Sequence, residues 1–87
     1  SQNMPNPFNP VTTIRFTVPE ESDVDLIVYD VAGRRVKTLF NGHLKADFYR
    51  VEWDGTNDNG SSVASGVYFY RLRAGKNVMS KKMVLLR

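Results

Sequence analysis

The chain has 87 residues, no cysteine and a formal net charge of +3. That length fits one small domain, the missing cysteines exclude disulfides and thiolate metal sites, and the charge is too small to argue for nucleic acid. No apolar run approaches the ~20 residues of a membrane-crossing helix, and no secretory signal peptide is visible at the start; if the protein is exported, the chain is expected to be a fragment or one domain of something larger.

Read in chain order, the first segment is "NMPNPFNP" (Asn3–Pro10). Pro5, Pro7 and Pro10 fix φ and offer no N–H. Met4, Asn6 and Asn9 each precede a proline and are pushed toward extended geometry. Residues 1–10 therefore read as a stiff lead-in, with Phe8 expected to plug the open end of the domain that follows. "VTTIRFTV" (Val11–Val18) alternates, with Ile14, Phe16 and Val18 on one face. "PEESD" is a turn. "VDLIVYD" (Val24–Asp30) alternates again, with Val24, Leu26 and Val28 inward. In "VAG", Gly33 supplies a positive φ for a tight turn, and "RRVKTLF" (Arg34–Phe40) is a short strand. "NGHLKAD" reads as a loop. "FYRVEWD" (Phe48–Asp54) places Tyr49, Val51 and Trp53 together. "GTNDNG" is a second loop, followed by a short strand at "SSV". "GVYFYRLRA" (Gly66–Ala74) aligns Tyr68, Tyr70 and Leu72, and "GKN" turns the chain into "VMSKKMVLL" (Val78–Leu86).

No segment keeps a helical period over a useful length. Seven short strands at this spacing predict an all-β, seven-stranded immunoglobulin-like β-sandwich over residues 11–87. Trp53 is placed as the core tryptophan of such a domain. Tyr68 falls where a tyrosine corner is expected, and Tyr70 falls where the second cysteine would be, with aromatic packing in place of a disulfide. The predicted core is Phe16, Leu26, Val28, Val51, Trp53, Tyr68, Tyr70 and Leu72.

"PNPFNPVTTIRFTVPE", "VYDVAGRRVKTL", "WDGTNDNGSSVASGVYFYRL" and "KKMVLLR" follow one another in order. Together they resemble the C-terminal sorting domain of proteins exported by the type IX secretion system. They look equally like the immunoglobulin-like domain of the flagellar hook-capping protein. The motif residues that carry the likeness are Asn6, Pro7, Phe8, Asn9 and Pro10, then Asp30, Gly33 and Arg34, then Trp53, Asp54 and Gly55, then Gly66, Tyr68 and Tyr70. The resemblance implies a non-catalytic sorting and surface-attachment module behind an upstream cargo domain in the same polypeptide. Its implied partners are the outer-membrane secretion machinery and a sortase-like protease, and its implied location is the cell surface. Under that reading Lys81, Lys82, Met83, Val84, Leu85, Leu86 and Arg87 form a surface that the translocon recognises. A passive or hook-cap-type structural domain is the alternative that the second likeness implies.

Chemistry is largely excluded by what the residues lack. The one histidine, His43, reads as a solvent-exposed loop residue. The serines show no nucleophile elbow. Asp54 and Asp58 sit in a polar turn with no apolar pocket to separate their pKa values. Asp54, Asn57, Asp58 and Asn59 offer oxygen ligands suited to calcium. Their spacing departs from the EF-hand pattern, since Thr56 stands at the third position and Gly60 falls one residue late. No metal, no cofactor and no catalytic residue is predicted. Carbohydrate binding is a further alternative, through Tyr29, Phe40, Tyr49 and Phe69 if several of these face outward.

Charge is unevenly spread. Glu20, Glu21, Asp23, Asp25 and Asp30 fall between residues 20 and 30 without a base. Arg71, Arg73, Lys76, Lys81, Lys82 and Arg87 close the chain without an acid. The two runs read either as strand faces that attract across a sheet or as a basic hairpin turned to a partner. In the last strand, adjacent Lys81 and Lys82 cannot both face water. Either a bulge lies near Ser80–Lys82, or one ammonium remains at an open edge.

Overall fold

The computed structural model describes residues 11–86. They form six strands and no helix: β1 Thr12–Val18, β2 Ser22–Asp30, β3 Arg35–Leu44, β4 Asp47–Trp53, β5 Gly66–Ala74 and β6 Asn77–Leu85. Two sheets result, a two-stranded β1-β4 and a four-stranded β3-β2-β5-β6. Every pairing is antiparallel. The chain changes sheet between β1 and β2, between β3 and β4, and again between β4 and β5.

Period-2 alternation sets the buried face of each strand. From the smaller sheet come Ile14, Phe16, Val18 and Trp53. From the larger come Val24, Leu26, Val28, Tyr68, Tyr70, Leu72, Ala74, Met83 and Leu85. All belong to one buried cluster. Trp53, Leu26 and Val28 are wholly shielded from solvent. Of the predicted core, only Val51 is merely half-buried, packed against the cluster from β4.

Two expectations change. The short strand at "SSV" is replaced by a single bridge, Thr56↔Ser62. The side chain of Asn57 accepts from the amides of Asn59 and Ser61, both at 3.0 Å, and these bonds hold the chain in a loop there. Six strands, not seven, are therefore present among the described residues. The "NGHL" segment is strand rather than loop, because β3 runs on to Leu44 and pairs with Ser22–Asp25 at the start of β2. Trp53 meets Tyr68 edge to face, with ring centroids 5.1 Å apart. Tyr70 is buried beside them in the same cluster.

The predicted hairpin turn between β5 and β6 is present at Gly75-Lys76, with Asn77 already in β6. Ala74 pairs with Asn77, and Gly75 takes a φ of 60° at the first turn position. The Gly75 amide also donates to Asp23 O at 2.9 Å, tying this turn to the start of β2.

Candidate interaction surfaces

The motif residues between β2 and β3 build a turn. Asp30 Oδ1 accepts from the amides of Ala32 and Arg34, each at 2.9 Å, and Oδ2 accepts from Arg34 Nε at 3.0 Å. Gly33 reaches a φ of 82° and donates to Asp30 O. The Arg34 amide, helped by that of Ala32 and by the guanidinium, holds the Asp30 carboxyl below its ordinary value. A charged acceptor with several donors is already satisfied, so Asp30, Gly33 and Arg34 have a local structural role.

The "DGTNDNG" loop is occupied in the same way. Asp54 Oδ1 accepts from the Thr56 hydroxyl at 2.6 Å and the Thr56 amide at 3.2 Å. That hydroxyl, before the other contacts, lowers the Asp54 pKa. Gly55 follows with a φ of 76°. Trp53 Nε1 donates to Thr56 O at 2.9 Å, so the core tryptophan anchors the loop. Asp58 turns away from Asp54 and onto β3. Its Oδ1 accepts from the Thr38 amide at 2.9 Å, while its own amide donates to Val36 O. The loop thus covers part of the edge of β3, a contact that sequence spacing does not reveal. No group of three or more His, Cys, Asp or Glu side chains converges to hold a metal among the described residues.

His43 is exposed but not isolated. Its Nδ1 lies 2.8 Å from Asp23 Oδ1 and its Nε2 lies 2.8 Å from Glu21 Oε2. Bonds first to Asp23 and then to Glu21 raise the imidazole pKa. The sequence signal for this clamp was the acid run that spans the turn before β2 and β2 itself, once β3 is extended to meet it. The same run answers the basic one across the sheet. Asp25 stands opposite Arg73 in register, and the two join at 2.8 Å.

The predicted glycan rings divide. Phe40 and Tyr49 pack against the core. Tyr29 and Phe69 are register partners on the outer face of the larger sheet. The Arg71 guanidinium lies 5.3 Å from the Tyr29 ring centre and covers it, so that face offers Phe69 rather than a platform of several rings.

In β6 the register runs without a shift, so there is no bulge. Lys81 stands opposite buried Tyr70 and so projects on the inner face, yet it stays exposed, which is the open-edge solution. Met83 and Leu85 are buried. Lys82, Val84 and Leu86 are exposed. Two of the tail residues named from the sequence, Met83 and Leu85, are therefore core. Gly66 opens β5 at the other side of the pair, opposite Leu85. Arg87 and the lead-in residues Asn6, Pro7, Phe8, Asn9 and Pro10 lie outside the described residues.

Tyr68 completes the frame. Its hydroxyl donates to Ala64 O four residues upstream at 2.7 Å, the hydrogen bond that defines a tyrosine corner in immunoglobulin-like domains. A family model for the FlgD Ig-like domain matches residues 8–77 of the chain. The chain belongs to the FlgD Ig-like domain family. No curated protein and no solved structure matches it. The FlgD Ig-like family is a structural, non-catalytic one, consistent with carboxylates bound into turns and pairs. The matched stretch ends at Asn77, the first residue of β6.

Proposed function

We propose that this FlgD Ig-like domain is a structural module of the hook-cap type, a rigid sandwich that takes its place in a larger exported assembly and works through its surface. The single observation that carries this reading is the family match over residues 8–77. The hydrogen bonding supports it: Asp30, Asp54 and Asp58 are each held by neighbouring amides, which leaves them no chemical task. The test is to exchange the chain for the Ig-like domain of a flagellar hook-capping protein and score hook growth. Growth above that of the domain-deleted protein, lost again with Trp53→Ala, is expected. Growth no better than the deletion would count against the reading.

A second reading rests on a different observation. β6 lies almost wholly beyond the matched stretch and presents Lys82 and Val84 to solvent, with Leu86 exposed just after it. This is the segment that a type IX sorting role would use, with Lys81–Arg87 read by the outer-membrane machinery and a sortase-like protease acting at the boundary with an upstream cargo domain. Both readings place the domain outside the cytoplasm.

A further inference from the structure

Among the described residues, one backbone edge of β1 has no strand beside it. Within them β1 pairs only with β4, so its other side carries N–H and C=O groups without a strand neighbour. Such an edge is a template for an added strand. The space beside it is partly walled. A groove of about 220 Å³ runs between Thr17 and Pro19 on one side and Leu72, Ala74 and Met79 on the other. The two sheets are unequal, with two strands facing four. The inner face of β6 is consequently covered only at Met83 and Leu85, while Met79 is 40% exposed and Lys81 is exposed on that same face.

The side chains without an ion-pair partner along the middle of this edge are cationic, whereas Glu20 and Glu21 stand at its Pro19 end. On the outer face of the smaller sheet Arg15 stands directly opposite Arg50. Like charges in that position repel. Glu52 lies diagonal to Arg15, but among the described residues neither arginine reaches an ion-pair partner, and neither does Lys81. A strand laid along β1 would present alternate side chains to the two faces. Its inward residues would meet Leu72, Met79 and Lys81, and its outward residues would meet Arg15.

We propose that the free edge of β1 accepts an extended acidic strand from a partner protein, in which apolar residues alternate with aspartate or glutamate. Main-chain hydrogen bonds would supply binding, and the cations would select the sequence. Two other occupants fit less well. Two copies joined antiparallel about Arg15 would bring guanidinium against guanidinium. Residues 1–10 of the chain contain no acid and three prolines that cannot donate to a ladder. This inference is independent of β6 serving as a sorting signal.

The test uses the 87-residue chain and a synthetic peptide in which valine alternates with aspartate and glutamate. Controls are the same peptide with lysine for each acid and one with prolines at alternate positions. The acidic peptide is expected to bind and to slow amide exchange along Thr12–Val18. The double variant Arg15→Glu, Lys81→Glu, checked for unchanged melting, should bind it at least about tenfold more weakly and gain affinity for the lysine peptide. No binding, equal binding of both charged peptides, or binding without protection of β1 would overturn the proposal. So would protection of β1 already present in the free chain and lost either on dilution of a dimer or on removal of residues 1–10.

Discussion

Trp53 and Tyr68 meet edge to face, with ring centroids 5.1 Å apart and planes at 69°, and they belong to different sheets. Each also anchors a loop through its polar atom: the indole N–H bonds Thr56 O and the phenol bonds Ala64 O. The β4–β5 connection is thereby fixed at two points by the core itself. In a chain without cysteine, this pair joins the two sheets without a disulfide.

Trp53→Ala should destabilise the domain by ~3–5 kcal/mol, the range for removing a large buried aromatic. Tyr68→Phe keeps the ring and loses one hydrogen bond, so it should cost only ~1 kcal/mol. Urea unfolding followed by circular dichroism measures both. Equal losses would mean that the corner hydrogen bond is more than a local anchor.

His43 gives stability a pH dependence of known sign. Its pKa is raised above 6.5 in the folded protein, first by Asp23 and then by Glu21. A raised pKa means that the folded state holds the proton more tightly. The contribution is therefore fully present below pH 6.5 and is lost as pH rises through the folded value. The melting-temperature difference between the native chain and His43→Gln should shrink over that rise. A gap that widens with pH would refute the clamp.

Calcium should leave the melting temperature unchanged, because a ligand of the native state must stabilise it and Asp54 is already bonded to Thr56. Asp54→Ala should instead lower stability by ~1 kcal/mol through loss of the turn. The Asp54 pKa lies below 3.8, so its contribution is present above that pH and fades as pH falls through the folded value. Thermal melts with calcium or a chelator decide the first point, and acid titration of both proteins decides the second.

Within β6, Met83→Ala and Leu85→Ala should each cost ~2–5 kcal/mol. Lys82→Glu and Val84→Asp face solvent and should stay within ~0.5 kcal/mol of the native chain. Denaturant midpoints for the four variants test this division. A large loss in either exposed variant would make the whole tail structural.

Much of the frame is legible in the sequence. Alternation in Val11–Val18, Val24–Asp30 and Gly66–Ala74 assigns the buried face of β1, β2 and β5, because one sheet face is apolar. Gly33 and Gly75 mark turns that demand a positive φ. Misses occur where local propensity and long-range pairing disagree. "NGHL" looks like a loop by composition, but pairing with Ser22–Asp25 and the His43 clamp make it strand. "SSV" has strand propensity, yet the Asn57 cap holds that region as a loop. The docking of Asp58 on β3 joins residues 20 apart, and no local pattern encodes it.

The most direct test of the structural-module reading is to fuse the 87-residue chain behind a reporter in a bacterium with a type IX system. Surface reporter is measured for the native chain, for Lys82→Glu with Val84→Asp, and for a deletion of residues 84–87, with the melting of each purified domain alongside. The structural reading predicts that no reporter reaches the surface through the tail, so the three fusions behave alike. Surface delivery by the native chain that is lost in a variant still folded would contradict it and establish β6 as a sorting signal.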